Sequence, residues 1–178
     1  MSAIDYLSEQ NIKFKITEHR NAYTALDLAV EEHVLSFKVA KPVIVKGDGV
    51  FFVCVLPACF KIDFNKLKDQ LKVNQIGLAS EQELSNLFPD CELGAEPPLG
   101  NLYGMTTLMD KSLEFDRNII FQAGTHNKAV KISMKNFKKL VNPCVMSFIR
   151  DSDLDEFNSV IFDPYYYDTF VYNPFYPL

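Results

Sequence analysis

Between Gly94 and Gly100 the chain reads Gly-Ala-Glu-Pro-Pro-Leu-Gly and runs on into Asn101-Leu102-Tyr103-Gly104. Glycine admits backbone angles closed to other residues and lets a ligand approach the main chain, whereas paired prolines fix φ and hold the residue ahead of them extended. Pro97 and Pro98 carry no N–H, so the loop's donors are those of Gly94, Ala95, Glu96, Leu99 and Gly100, a stiff array able to face a substrate. The same composition also builds rigid structural turns, and for the loop alone that reading stays open. Lys41, at the entry to an apolar β-rich run, is a fixed ammonium suited to a phosphate or a carboxylate; a solvated strand-end lysine is the plain alternative. In Ala123-Gly124-Thr125-His126-Asn127 an imidazole sits at the tip of a glycine turn, able to donate, accept or transfer a proton near neutrality, or simply to bond local backbone. His19, closing a strand, and His33, at a helix end, are weaker candidates.

The commoner chemistries leave no trace. The chain has no Gly-x-Ser-x-Gly elbow, P-loop, dinucleotide fingerprint or HExxH. Its four cysteines (Cys54, Cys59, Cys91, Cys144) lack CxxC spacing and a histidine cluster, so neither a metal site nor a cofactor is expected, and they fit reduced, partly buried thiols. No run approaches the ~20 apolar residues of a membrane span, and Met1 to Lys15 lacks the apolar centre of a signal peptide, so a cytoplasmic protein without a membrane partner is expected.

These residues need a scaffold, and local signals supply one. Ala3 to Gln10 reads as a short helix and Lys13 to Thr17 as a strand. Thr24 with Asp27 and Ser80 with Glu83 are capping boxes, and Asp63 caps a helix through Leu71. Pro42 to Val45 and Val50 to Leu56 are strands joined by a four-residue loop, Lys46-Gly47-Asp48-Gly49, and Pro57 ends the second, whose unbroken apolar run implies burial on both faces. Strands follow at Thr106 to Met109, Asn118 to Gln122 and Ala129 to Ile132, then a helix from Ser133 to about Val141, with Pro143 closing the body. This order predicts an α+β (mixed α/β) fold: one compact domain with a mixed central β-sheet flanked by helices, spanning residues 1–144.

With 48% hydrophobic residues in 178, the chain can bury one substantial core. The net charge of −5 is uneven: residues 1–144 hold 17 basic and 17 acidic side chains, while residues 145–178 hold Arg150 against six acids. Lysine clusters at Lys61 to Lys72 and Lys128 to Lys139 can form local positive surfaces or solvated helix faces. Residues 145–178 also carry ten of the chain's 23 Phe and Tyr residues, which defines an aromatic, acidic C-terminal extension. The run Pro164 to Tyr172 is too aromatic for a free linker; it either packs on its own body or docks a protein partner.

The ordered set Glu18-His19, Ala22-Tyr23-Thr24-Ala25, Ala40-Lys41, Val55-Leu56-Pro57-Ala58, Gly94 to Gly104, Asp110 and Ala123 to Asn127 resembles the YbaK-like, prolyl-tRNA editing domain family over roughly residues 1–143. That resemblance implies a YbaK-like mixed fold and hydrolysis of the ester of mischarged aminoacyl-tRNA, by a free-standing protein or an insertion in prolyl-tRNA synthetase. It assigns catalytic roles to Lys41, Gly94 and Gly100. It assigns contacts with the substrate, the aminoacylated 3′ end of tRNA, to Tyr23, Thr24, Glu96, Pro97, Gly124 and His126, the last associated with amino-acid selection. Two residues depart from the family pattern: Pro42 replaces a small polar residue after the lysine, and Glu96 brings a carboxylate into the loop, where it can repel a phosphate or hold an α-ammonium. The expected function is a trans-acting deacylase for translation quality control. The alternatives are a catalytically silent binding module of the same fold and an esterase for another small acyl compound.

Overall fold

The computed structural model describes residues 1–161, and the aromatic run Pro164 to Tyr172 lies outside the described residues. Six helices and eight strands alternate: α1 (Ala3–Glu9), β1 (Phe14–Glu18), α2 (Ala25–Glu31), β2 (Ala40–Gly47), β3 (Val50–Pro57), α3 (Phe64–Leu71), β4 (Ile76–Leu78), α4 (Glu81–Leu87), β5 (Thr106–Asp110), β6 (Asn118–Gln122), β7 (Lys128–Ser133), α5 (Met134–Val141), β8 (Cys144–Met146) and α6 (Asp151–Ile161). The expected α+β class is what forms. The strands divide between two sheets: an antiparallel β1-β7-β6 and a mixed β4-β2-β3-β5-β8, in which β5 runs parallel to both neighbours. A single parallel bridge, Val39 to Ile120, ties them together.

Side-chain chemistry sets the helix starts. Thr24 and Ser80 close both capping boxes, and Asp63 and Ser133 accept from the first-turn N–H groups of α3 and α5, each cap contributing about 1 kcal/mol. The hairpin is tighter than the sequence suggested. The β2–β3 ladder runs through Gly47 opposite Val50, leaving only Asp48-Gly49 in the turn, with φ of 46° and 86°. Asp-Gly is the dipeptide that a two-residue turn with both φ positive prefers, and its twist matches the strands.

Val53 to Leu56 of β3 are fully buried, as an apolar strand covered on both faces must be. On one face Ile44, Val53, Val55 and Met109 join Ile119, Phe121, Val130 and Ile132 of the small sheet and Phe137 of α5. On the other, Val45, Cys54, Leu56 and Leu108 meet Leu67 of α3 and then Phe148, Ile149, Leu154 and Phe157. Each fully buried Leu or Phe contributes about 1.5–3 kcal/mol from apolar burial. A third, small cluster of Ala22, Leu28, Ala29, Val39, Ala58, Ile120 and Ala129 fills the junction at the strand ends.

The sheet continues past Pro143. β8 adds to the edge of β5, and the buried Asp110 carboxylate then accepts from the N–H groups of Phe148 (2.8 Å) and Ile149 (3.3 Å). Pro42 sits inside β2 without breaking the ladder. Ile44, two residues on, turns its carbonyl away from β3 to accept from Ala79 N. Pro42 shares that parity, so its missing N–H lies on the outer side of β2, beyond the end of β4.

Candidate active site

The β6–β7 turn and the glycine loop lock onto each other through backbone. Gly124 N donates to Ala95 O and Glu92 N donates to Gly124 O, each at 2.9 Å. Both Gly94 (φ 90°) and Gly124 (φ 95°) occupy the left-handed region, the requirement that only glycine meets without strain. A Cβ on Gly94 would lie 3.6 Å from His126 Cε1 and 3.8 Å from Tyr23 O, so the two turns meet at the edge of the imidazole.

That imidazole is fixed from several sides. Its backbone N–H donates to Glu92 Oε2 at 2.7 Å, its carbonyl accepts from Ala22 N at 2.8 Å, and the Tyr23 ring lies 4.9 Å away, tilted by 52°. Nδ1 is 3.1 Å from Ala22 O, which also accepts from Gln122 Nε2. A carbonyl accepts only, so Nδ1 carries the proton, and in the neutral ring the lone pair falls on Nε2, beside the Cε1 that faces Gly94. His19 N donates to Asn127 O, bringing the end of β1 to the same turn. Two buried polar atoms there, His19 Nε2 and Thr125 Oγ1, have no hydrogen-bond partner among the described residues.

The structure thus assembles Tyr23, Gly94, Gly124 and His126, and it adds Ala22, Glu92 and Gln122, to which the sequence reading had given no site role. Their signal was faint: a backbone carbonyl, a loop acid and a strand-end amide that gain meaning only from the turn they hold. Tyr23 is exposed, whereas the Thr24 hydroxyl is occupied in capping α2.

The loop itself is less open than its composition suggested. Gly94 is exposed, but Ala95 to Gly100, including Pro97, are buried. Three of its five donors are spent internally: Gly94 N on Glu96 Oε1 (3.0 Å), Ala95 N on Glu92 O (2.9 Å) and Gly100 N on Thr107 Oγ1 (3.1 Å). The N–H groups of Glu96 and Leu99 have no hydrogen-bond partner among the described residues. The Glu96 carboxylate braces its own loop and lines a cavity of about 120 Å³ with Leu84, Phe88, Cys91 and Leu93. Burial pushes the Cys91 thiol of that wall up, and burial with the Cys91 contact pushes the Tyr103 hydroxyl bonded to it up, so both stay protonated.

Lys41 is held elsewhere. Its side chain leaves β2 with the parity of Val43 and Val45, on the face of α3 and α6, and Nζ donates to Phe60 O at 2.6 Å and Ala58 O at 3.2 Å. An ammonium has three donors, so one remains for a ligand. Desolvation holds its pKa below the ordinary lysine value, with Lys61 pushing the same way and Cys59 and Asp153 opposing. The contacts therefore do not join Lys41 to the glycine loop in one wall. The link between them is the small cluster in which Ala22, beside His126, and Ala58, beneath Lys41, are both buried.

Among the described residues no three His, Cys, Asp or Glu side chains gather to hold a metal ion, and no helix is long and apolar enough to cross a membrane. No curated protein matches the sequence. Among solved structures, a hypothetical protein, APE2540, superposes with a TM-score of 0.74 at 16% identity, covering 83% of this chain and 98% of that one. A candidate trans-editing enzyme for prolyl-tRNA synthetase gives a TM-score of 0.74 at 16% identity, covering 82% and 93%. At that identity both speak for the fold alone. The sequence model of the aminoacyl-tRNA editing domain matches residues 19–140, which run from His19 through both glycine turns to α5, and the chain belongs to that family.

Proposed function

We propose that this protein is a free-standing aminoacyl-tRNA deacylase that acts in trans in the cytoplasm, hydrolysing the ester of small amino acids misattached to tRNA. The observation that carries the reading is the meeting of two left-handed glycine turns at the Nε2 edge of a fixed histidine, within a chain of the editing family. Residues 1–144 are read as the editing domain and residues 145–178 as its extension; the extension packs on the body through Phe148, Ile149, Leu154 and Phe157, and whether its aromatic run from Pro164 serves a protein partner is a question for truncation.

In this reading the 3′ end of the tRNA crosses the strand ends near Ala22 and Ala58. The spare Lys41 donor anchors a phosphate of the terminal nucleotide. Tyr23 and His126 bound the space for the amino-acid side chain, and the N–H of Glu96, next to the exposed turn at Gly94, is the loop donor left for the developing oxyanion, since Leu99 is fully enclosed. A water or the substrate's own ribose hydroxyl is the nucleophilic oxygen, which explains why no triad is needed.

Purified protein incubated with a panel of mischarged tRNAs should accelerate ester loss. Lys41→Ala removes one charge-assisted contact, about 1.5–3 kcal/mol, or roughly a 10- to 150-fold drop in rate. If no member of the panel is deacylated faster than in buffer, the deacylase reading fails. One observation favours a second reading, a binding module without turnover: most loop donors and two of the three Lys41 donors are already engaged. Binding of the aminoacyl end without ester loss would select it.

A further inference from the structure

α6 lies outside the family match, which ends at residue 140, yet its contacts converge on the segment that holds Lys41. Asp153 Oδ2 accepts from Lys61 N at 2.8 Å, Arg150 N donates to Lys61 O, and Ile149 bridges to Ile62. Asp151 pairs with Lys66 at 2.5 Å, and Lys66 also donates to Ile149 O. Phe157 meets Phe60 and Phe37 edge-on, with centroids 5.2 and 5.1 Å apart. Phe60 is the residue whose carbonyl makes the shorter of the two bonds to Lys41 Nζ. On its open side Phe60 borders an apolar cavity of about 320 Å³, lined also by Pro57, Phe115 and Leu154, so Phe157 is the aromatic contact that steadies it. Edge-to-face pairs of this kind contribute beyond their buried area.

We infer that α6 is a working part of the Lys41 site: through Asp153 and Phe157 it clamps the Ala58 to Lys61 segment and so sets the position and environment of the Lys41 ammonium. Asp153 and Phe157 are positioning residues, acting through Lys61 and Phe60. The inference rests on the reading that Lys41 serves the reaction, but its test does not require that reading. The groups facing Lys41 are Cys59 and Lys61 from the clamped segment and Asp153 from α6. Their signs separate the two arms of the clamp. The Asp153 carboxylate favours the charged ammonium, so its loss lowers the Lys41 pKa; burial beneath the clamp disfavours the charge, so opening the clamp raises it.

The experiment is an NMR titration of lysine side chains in the full-length protein, labelled at Nζ and Cε, with the Lys41 signal assigned by Lys41→Arg. Asp153→Asn, nearly isosteric, should shift the Lys41 midpoint down. Phe157→Ala should shift it up towards the exposed lysines. Asp155→Asn, on the exposed side of the same helix, should leave it unchanged, which separates the clamp from the helix's general charge. If Asp153→Asn and Phe157→Ala both leave Lys41 titrating as in the parent protein, the inference is overturned, and a shift equalled by Asp155→Asn overturns it as well. Should Phe157→Ala fail to fold, Asp153→Asn alone decides. In the deacylation assay Phe157→Ala should lower the rate about tenfold or more, as misplacement of a site group does. A parent protein without deacylase activity would defeat the proposed function and leave the titration result standing.

Discussion

Gly100→Ala should be among the most damaging single-methyl additions in this chain. A Cβ there would lie 2.5 Å from Thr107 Oγ1, 2.8 Å from Met105 O and 3.2 Å from Val53 Cγ2, when real Cβ contacts essentially never fall below 3.0 Å. None of these neighbours can retreat cheaply. Thr107 is buried and paired with Val53 in the β3–β5 ladder, and Met105 N is itself bonded to Gly100 O at 2.8 Å. Overpacking of this kind costs about 1–3 kcal/mol. Displacing Gly100 N from the Thr107 hydroxyl strands a buried polar pair, for about 1–3 kcal/mol more. The smaller unfolded-state entropy of alanine offsets about 0.5–1 kcal/mol. The net loss is about 1–5 kcal/mol, centred near 3, and at about 2–4 °C per kcal/mol for a chain of this size, Tm falls by roughly 2–20 °C. Gly49→Ala is the control, because its φ of 86° imposes left-handed strain while nothing lies within 4 Å, so it should cost only about 1–2 kcal/mol. Urea and thermal unfolding followed by circular dichroism measure both. In a double-mutant cycle, Thr107→Ala removes the atom at 2.5 Å and should recover about 1–2 kcal/mol relative to additivity. The packing argument is refuted if Gly100→Ala costs no more than Gly49→Ala, or if the cycle is additive.

Other perturbations test separate parts of the account. Thr24→Ala should lose about 1 kcal/mol of stability through its cap, and if the hydroxyl serves only α2, deacylation per folded molecule stays unchanged. Asp110→Ala leaves the buried N–H groups of Phe148 and Ile149 without their acceptor and should cost about 2–4 kcal/mol, with hydrogen exchange rising first at those two amides. The Lys46 ammonium and the Ser80 N–H hold the Glu83 carboxyl down at about 2, against an ordinary value of 4.5. A depressed carboxyl stabilises the fold above its unfolded pKa, and that contribution fades as pH falls from about 4.5 to about 2. Denaturation curves of the parent and Glu83→Gln should therefore converge at the acid end of that window and separate above it.

Local signals were legible in the sequence wherever a feature depends on its own few residues. The Thr24 and Ser80 capping boxes, the Asp63 cap and the apolar run of β3 all formed as read, because each is settled by side chains three or four positions apart or by continuous apolarity. The edge strands β4 and β8 were not legible: three residues show no alternation, and what holds them is the partner strand. The candidate site divided along the same line. The need for glycine at Gly94 and Gly124 could be read from turn chemistry. That Gly100 spends its N–H on Thr107, that Glu96 bonds back to Gly94, and that Lys41 turns towards Ala58 and Phe60 all depend on contacts between distant segments. Hydrophobic patterning gives the face of a strand, but not which loop will cover it.

The pairing of β1 with β7 has a consequence for the protein's own synthesis. About a hundred residues separate Glu18 from its ladder partner Lys128. At about 5–20 residues per second, the ribosome needs roughly 5–20 s to deliver that partner after β1 is complete. Through that interval Phe14 and Ile16 have no strand to lie against, and the small sheet cannot close until β7 has left the exit tunnel. The large hairpin, whose strands are joined by two residues, can form almost as it emerges. Folding on the ribosome should therefore proceed from the middle of the chain outward, with the N-terminal strand waiting as an unpaired edge and needing the attention of chaperones longest.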